Sequence, residues 1–121
     1  MKIKKVVIEP IEDFFEEVKY AVKQHKTGKN VKLEYVSFNS VEELSRILSP
    51  RRKEIIDVVK KYNPSSIREL AQILKRDYKN VYKDVILLKK AGFLELKKEG
   101  KNLKPVVPYE EIEVIVKVGK S

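Results

Sequence analysis

Helix-boundary residues recur between residues 49 and 92 and divide this stretch into three short helical segments. Ser49 precedes a proline, the pair that is typical of an N-cap followed by the first helical position. Ser66 with Glu69 three residues later forms a capping box, and Asp77 can cap a third segment that ends at a glycine. Because the connection between the second and third segments is so short, the spacing predicts a helix-turn-helix.

Apolar residues recur with helical spacing in all three segments, so each segment has one face for a core. The predicted core residues are Ile55, Ile56, Val58, Val59 and Tyr62, then Ile67, Leu70, Ala71 and Leu74, then Val81, Val85 and Leu88. After them, residues 93–97 and 103–107 flank a turn that contains glycine, which predicts a β-hairpin with prolines along its second strand. Three helices and a hairpin in this order predict an α+β fold with a winged helix-turn-helix.

The ends of the chain predict a further β-α-β arm and a last strand. Residues 3–8 and 31–36 have strand character, residues 11–25 repeat apolar side chains at helical spacing, and residues 112–118 alternate. We therefore divide the chain into an arm at 1–39, the winged helix-turn-helix at 40–111, which begins with a short helix capped by Ser40, and a C-terminal strand at 112–121 that packs on the arm. The helix of the arm either completes a local core or forms a dimer or partner interface through Ile11, Phe14, Phe15, Val18 and Val22.

Positive charge is concentrated in one third of the chain. The formal net charge is +9, and residues 65–105 hold 11 basic and 5 acidic side chains, a net +6. A Lys- and Glu-rich surface of the kind found in thermophiles is one interpretation of the composition, but it does not account for the clustering. The clustering favours binding to a polyanion.

The third helical segment carries polar side chains opposite its apolar face. In a helix-turn-helix this helix enters the major groove of DNA and its first turns reach the bases. Lysine can contact phosphate or guanine, asparagine can pair with adenine, and tyrosine hydroxyls commonly contact phosphate. The predicted DNA-binding residues of this helix are Tyr78, Lys79, Asn80, Tyr82 and Lys83, and the preceding helix and turn add Ser66, Arg68 and Arg76. An ordinary solvated helix face is the alternative.

The hairpin is also basic, with side chains that could contact flanking phosphates or the minor groove. The residues concerned are Lys97, Lys98, Lys101, Asn102 and Lys104. The alternative is that these lysines only protect an edge strand from aggregation.

Other function classes find little support in the sequence. The chain has no cysteine and one histidine, His25, and it shows no nucleophile–base pair, phosphate-binding glycine loop or transition-metal ligand spacing. We therefore expect no enzymatic activity, no cofactor and no metal site. No apolar run approaches the roughly 18 residues of a membrane span, and the lack of cysteine suits a cytoplasmic protein that does not contact membranes.

Four motifs resemble MarR-type winged-helix regulators, and they are most similar to a small archaeal and bacterial branch of that group. The motifs are SIRELA at 66–71, RDYKNVYKDV at 76–85, AGFL at 91–94 and VVPYEEI at 106–112. The resemblance is good over residues 49–112 and loose elsewhere. It implies a homodimer that regulates transcription by binding specific sequences of double-stranded DNA. Some members of this branch look like antitoxins, so the alternative is an antitoxin that binds its operator and a small toxin protein.

Overall fold

The structure, a computed structural model, describes residues 1–26 and 35–119. Its fold class is α+β, as the sequence predicted. In chain order the elements are β1 (Ile3–Ile8), α1 (Ile11–Lys26), β2 (Tyr35–Phe38), α2 (Val41–Ile47), α3 (Pro50–Tyr62), α4 (Ile67–Leu74), α5 (Tyr78–Lys90), β3 (Glu95–Glu99), β4 (Asn102–Val106) and β5 (Glu111–Val116).

Serine side chains fix where three of the helices begin. The hydroxyls at the N-caps of α2, α3 and α4 each accept a hydrogen bond from a backbone N–H three residues on. These pairs are Ser40 with Glu43 at 3.1 Å, Ser49 with Arg52 at 3.4 Å and Ser66 with Glu69 at 3.0 Å. Asp77 occupies the N-cap position of α5, but its side chain makes no capping hydrogen bond, so the predicted role of that carboxylate is wrong.

Strands from both ends of the chain form one parallel sheet in the order β2-β1-β5. Val6 in the central strand lies opposite Val36 on one side and Val114 on the other. Residues 31–34 of the strand predicted at 31–36 lie outside the described residues, and its last two residues belong to β2, which extends to Phe38. The β-α-β connection through α1 joins the first two strands, and β5 brings the C-terminal segment beside the N-terminal one.

One face of this sheet packs on the helices of the central segment. Val6, Ile8 and Phe38 join a continuous core whose other buried members are Ile55, Ile56, Val59, Ile67, Leu70, Ala71, Val81, Val85, Leu88, Phe93, Leu94, Val107 and Tyr109. Val7 points to the opposite face. On that face a hydrogen bond to Glu9 raises the pKa of Lys117, and the nearby charges of Asp13 and Glu17 in α1 add to this effect. The sheet and the helices therefore share a single core.

Two predicted details of this core are wrong. Tyr62 is exposed, since α3 ends there and Asn63 turns the chain with a left-handed φ of 47°. The strand predicted from residue 93 begins instead at Glu95. Phe93 lies fully buried before it, stacked on Phe38 with ring centroids 6.0 Å apart, and its carbonyl accepts the Tyr109 hydroxyl at 2.6 Å.

A buried carboxylate lies where β1 ends. Glu9 accepts hydrogen bonds from the Ser37 hydroxyl at 3.2 Å and from the Lys117 ammonium at 2.9 Å. Burial and the neighbouring Glu9 carboxylate raise the pKa of Tyr35 to about 12. This cluster ties the C-terminal segment to the start of the α1 crossover. Across the residues that the structure describes, every helix is too short or too polar to cross a membrane.

Candidate nucleic-acid interface

Helix α5 has one buried face and one exposed face. Val81, Val85 and Leu88 are fully buried, in agreement with the predicted periodicity. The side chains predicted to contact DNA are all exposed; they are Tyr78, Lys79, Asn80, Tyr82 and Lys83. Because the inward residues fix the rotation of the helix, the two lysines and the asparagine of its first turns must face outward.

Aromatic and cationic contacts join the start of α5 to the start of α4. The Tyr78 and Tyr82 rings pack at 6.0 Å between centroids, and the Arg68 guanidinium lies 4.9 Å from the Tyr78 ring centroid. Such cation–π contacts contribute on the order of 0.5–1 kcal/mol at exposed sites. Arg68 and the two tyrosines thus form one surface cluster, in which both rings remain about two-fifths exposed.

Asp84 anchors the other flank of α5 through two arginines. Its carboxylate accepts from Arg52 Nε at 3.2 Å and from Arg76 Nη2 at 2.8 Å. Arg52 also donates to the backbone carbonyls of Arg46 and Ile47, at 2.7 and 3.2 Å, at the end of α2. This junction of Arg52, Arg76 and Asp84 therefore fixes α5 against α3 and the end of α2.

Arg52 and Asp84 were not among the predicted site residues, and Arg76, which was predicted to contact DNA, is largely buried. The Arg76 side chain is only 18% exposed and is held by Asp84. Its Nη1 is buried without a hydrogen-bond partner among the described residues. The signal that was available is that Asp84 is the only acid within α5, on the flank beside Asn80.

A pocket of about 460 Å³ opens beside this junction. Its lining combines cationic side chains, hydrogen-bond donors and one carboxylate that two of the cations already neutralise. The lining residues are Ser49, Arg51, Arg52, Arg76, Asn80, Lys83, Asp84 and Leu87. The lining has four cations, Arg51, Arg52, Arg76 and Lys83, against the one carboxylate of Asp84, so its positive charge is in excess and the pocket suits an anionic group such as a phosphate.

The hairpin of β3 and β4 concentrates lysines around a tight turn. Gly100 supplies the positive φ, 60°, at the first position of its two-residue turn. Lys97 lies directly opposite Lys104, and Lys98 lies opposite Leu103. Like charges opposite one another destabilise a strand pair, so an anion bound across Lys97 and Lys104 would relieve that repulsion.

Lys97, Lys98, Lys101 and Asn102 are exposed, whereas Lys104 is half-buried. Hydrogen bonds from the Ser65 hydroxyl and N–H lower the pKa of Glu69, and the charge of Lys104 adds to this effect. Lys104 is therefore near the first turn of α4, the turn whose Arg68 contacts Tyr78. That turn lies between the start of α5 and the hairpin. The Ser66 hydroxyl in the same turn is occupied as a helix cap.

The predicted interface residues of α1 fall into two groups. Phe14 and Val18 are half-buried on the side of the helix that meets the sheet. Ile11, Phe15 and Val22 are each about half exposed and lie at helical spacing along one side. These three residues, the α1 stripe, leave apolar surface without a partner in the described part of the chain.

No group of three or more acidic or histidine side chains in residues 1–26 and 35–119 is arranged to hold a metal ion. The chemistry available at α5 and the hairpin is hydrogen bonding and cation–anion contact. The family model HVO_A0114 matches residues 47–114, a range that contains α3, α4, α5, the hairpin and most of β5. None of the curated proteins matches the chain.

Proposed function

The chain belongs to the HVO_A0114 family, and we propose that it is a transcriptional regulator that binds specific sequences of double-stranded DNA as a winged helix-turn-helix. In this proposal α4 braces α5, α5 enters the major groove, and the hairpin is the wing. The observation that carries it is α5 itself: its apolar face is completely sealed, and its first two turns present two lysines, an asparagine and two tyrosines to solvent.

The residues of α5 divide by the contacts they can make. Lys79, Asn80 and Lys83 have the side chains that can hydrogen-bond to guanine, adenine or phosphate. On one flank of α5, Arg68 and the Tyr78–Tyr82 pair can contact the DNA backbone. The pocket beside Asp84 offers a position for a DNA phosphate on the other flank. DNA bound along α5 would thus be contacted on both sides of the groove.

The test for base contacts is a triple variant, Lys79→Ala with Asn80→Ala and Lys83→Ala. Each base contact contributes about 1–3 kcal/mol, so we expect the affinity for a selected DNA site to fall by about a hundredfold or more. All three side chains are exposed, so the circular dichroism spectrum and Tm should not change. Fluorescence anisotropy with a labelled duplex measures the binding.

The matched control is Lys19→Ala with Lys23→Ala on the exposed side of α1, which removes the same charge. We expect it to weaken binding by less than about threefold, because distant exposed charges are screened beyond about 10 Å at 0.1 M salt. If the triple variant binds as tightly as the unmodified protein, these residues of α5 do not contact DNA.

The hairpin is tested by salt dependence. Each phosphate contact contributes about −0.9 to the slope of log affinity against log salt. Lys98→Ala with Lys101→Ala should therefore make the slope shallower by about one to two units and weaken binding to all sequences alike. A slope identical to that of the unmodified protein would show that the hairpin does not contact phosphates.

Capture of a partner protein, as an antitoxin does, is the second candidate function, and the α1 stripe favours it. Ile11, Phe15 and Val22 expose an apolar row of the kind that marks protein interfaces. Coexpression with the product of the neighbouring gene, followed by size-exclusion chromatography, tests this role. Co-elution that Phe15→Glu abolishes would support it, and separate elution would oppose it.

A further inference from the structure

The outer strand of the parallel sheet, β5, exposes apolar side chains on both of its faces. Val114, Ile115 and Val116 are 45%, 42% and 50% exposed. In the described part of the chain β5 pairs only with β1, so its other edge is open. A long apolar edge strand of this kind promotes pairing with another strand.

Along β5, the backbone N–H and C=O groups of successive residues point alternately toward β1 and toward the open edge. Lys117 donates its N–H to the Ile8 carbonyl at 3.0 Å, so the odd-numbered residues of β5 turn their backbone groups toward β1. The N–H and C=O groups of Ile112, Val114 and Val116 therefore point away from the sheet. They are available to a strand that arrives from outside.

The geometry points to a second copy of this chain as the occupant, with the two β5 strands antiparallel about a two-fold axis at Ile115. In this register Val114 lies opposite Val116 of the other copy, and Ile112 lies opposite Val118. Glu113 lies opposite Lys117, so these apolar residues meet apolar residues and this carboxylate meets an opposite charge, whereas Glu111 lies opposite Gly119. The outward backbone groups of even-numbered residues then face one another, as antiparallel pairing requires.

Neighbouring registers are less complementary. Centring the axis on Val114 would oppose Glu113 to Ile115, and centring it on Glu113 would oppose that carboxylate to its own copy. Lys117 lies on the same face as Glu113, because both are odd-numbered, and its ammonium is hydrogen-bonded to Glu9 on that face. The sequence of β5 therefore specifies one self-pairing register.

This pairing would join the two three-stranded sheets into one continuous sheet of six strands. A two-fold axis through an antiparallel strand pair is perpendicular to the sheet, so it keeps each face on its own side. Both α1 helices would then lie on one face and both copies of α5 on the other. Two recognition helices on the same side suit a palindromic site, but the pairing itself does not depend on DNA binding.

The test uses the absence of cysteine in this chain. Ile115 would face Ile115 of the other copy in a non-hydrogen-bonded pair, where Cα atoms are about 4.5 Å apart, within the range that a disulfide spans. We expect Ile115→Cys to form a disulfide-linked dimer under mild oxidation without DNA. The control is Val118→Cys: Val118 is 94% exposed, but the two cysteines would lie about 20 Å apart.

Two results decide the proposal. Rapid cross-linking at position 115 and not at 118, with a dimeric mass for the unmodified protein in light scattering at micromolar concentration, supports it. Ile115→Lys should shift that mass to the monomer. Equal cross-linking at both positions, no cross-linking at 115, or a monomeric unmodified protein overturns it, whatever the outcome of the DNA-binding tests.

Discussion

Replacing Asp84 with alanine tests the structural basis of the proposed recognition helix. The change removes the carboxylate that holds both Arg52 and Arg76, at 3.2 and 2.8 Å. The three side chains are 24%, 18% and 17% exposed for Arg52, Arg76 and Asp84. Two guanidinium groups would remain in a largely desolvated position without their counterion.

The expected cost follows from burial. Removing one partner of a fully buried ion pair costs about 3–5 kcal/mol, whereas exposed pairs contribute about 0–1 kcal/mol. The partial exposure of this junction places Asp84→Ala between these limits, at about 2–3 kcal/mol of unfolding free energy. For a domain of this size that corresponds to a fall in Tm of about 6–15 °C. Asp84→Asn, which keeps one acceptor oxygen, should lose less.

The measurement is urea unfolding followed by circular dichroism. The control is Asp57→Ala, which removes an acid that pairs with Lys53 at 2.7 Å on the surface of α3, with both side chains more than half exposed. We expect the control to lose less than about 0.5 kcal/mol. If the two alanine variants are equally stable, the junction does not fix α5 and the reasoning is wrong.

Three further predictions concern the core. Tyr109→Phe leaves the buried Phe93 carbonyl without its 2.6 Å donor and should cost about 1–3 kcal/mol in urea unfolding; equal stability would contradict the observed bond. Burial raises the pKa of Tyr109 above its usual range, so folding favours the neutral phenol. The contribution of this phenol to the free energy of unfolding is therefore complete below about pH 10 and is lost as the pH rises further. The stability difference between the unmodified protein and Tyr109→Phe should therefore shrink as the pH rises above about 10, and a constant difference would contradict this. Gly92→Ala should cost about 1–3 kcal/mol in the same assay, because φ is +91° and the new Cβ would lie 2.9 Å from Val36 Cγ2; a neutral result would show that the turn relaxes freely.

The sequence predicted those parts of the fold that depend on neighbouring residues. The helix starts at Ser40, Ser49 and Ser66 were correct because each cap bonds to a backbone group only three residues away. The open face of α5 was correct for a similar reason, since helical periodicity alone places residues 79, 80 and 83 opposite the buried ones.

Local sequence patterns carry no comparable signal for contacts between distant segments. Arg52 and Asp84 are 32 residues apart, and no local pattern pairs them. The burial of Phe93 outside any strand depends on its stacking with Phe38 and its bond from Tyr109. These details require the assembled core, which local patterns do not describe.

Selection of bound sequences from a pool of random duplex DNA is the decisive test of sequence-specific binding through α5. The selection is run with the unmodified protein and with the triple variant at residues 79, 80 and 83. We expect the unmodified protein to enrich a defined motif and the variant to retain only weak, salt-sensitive binding without enrichment. A pool that stays random with the unmodified protein, or the same motif enriched by both proteins, would contradict it.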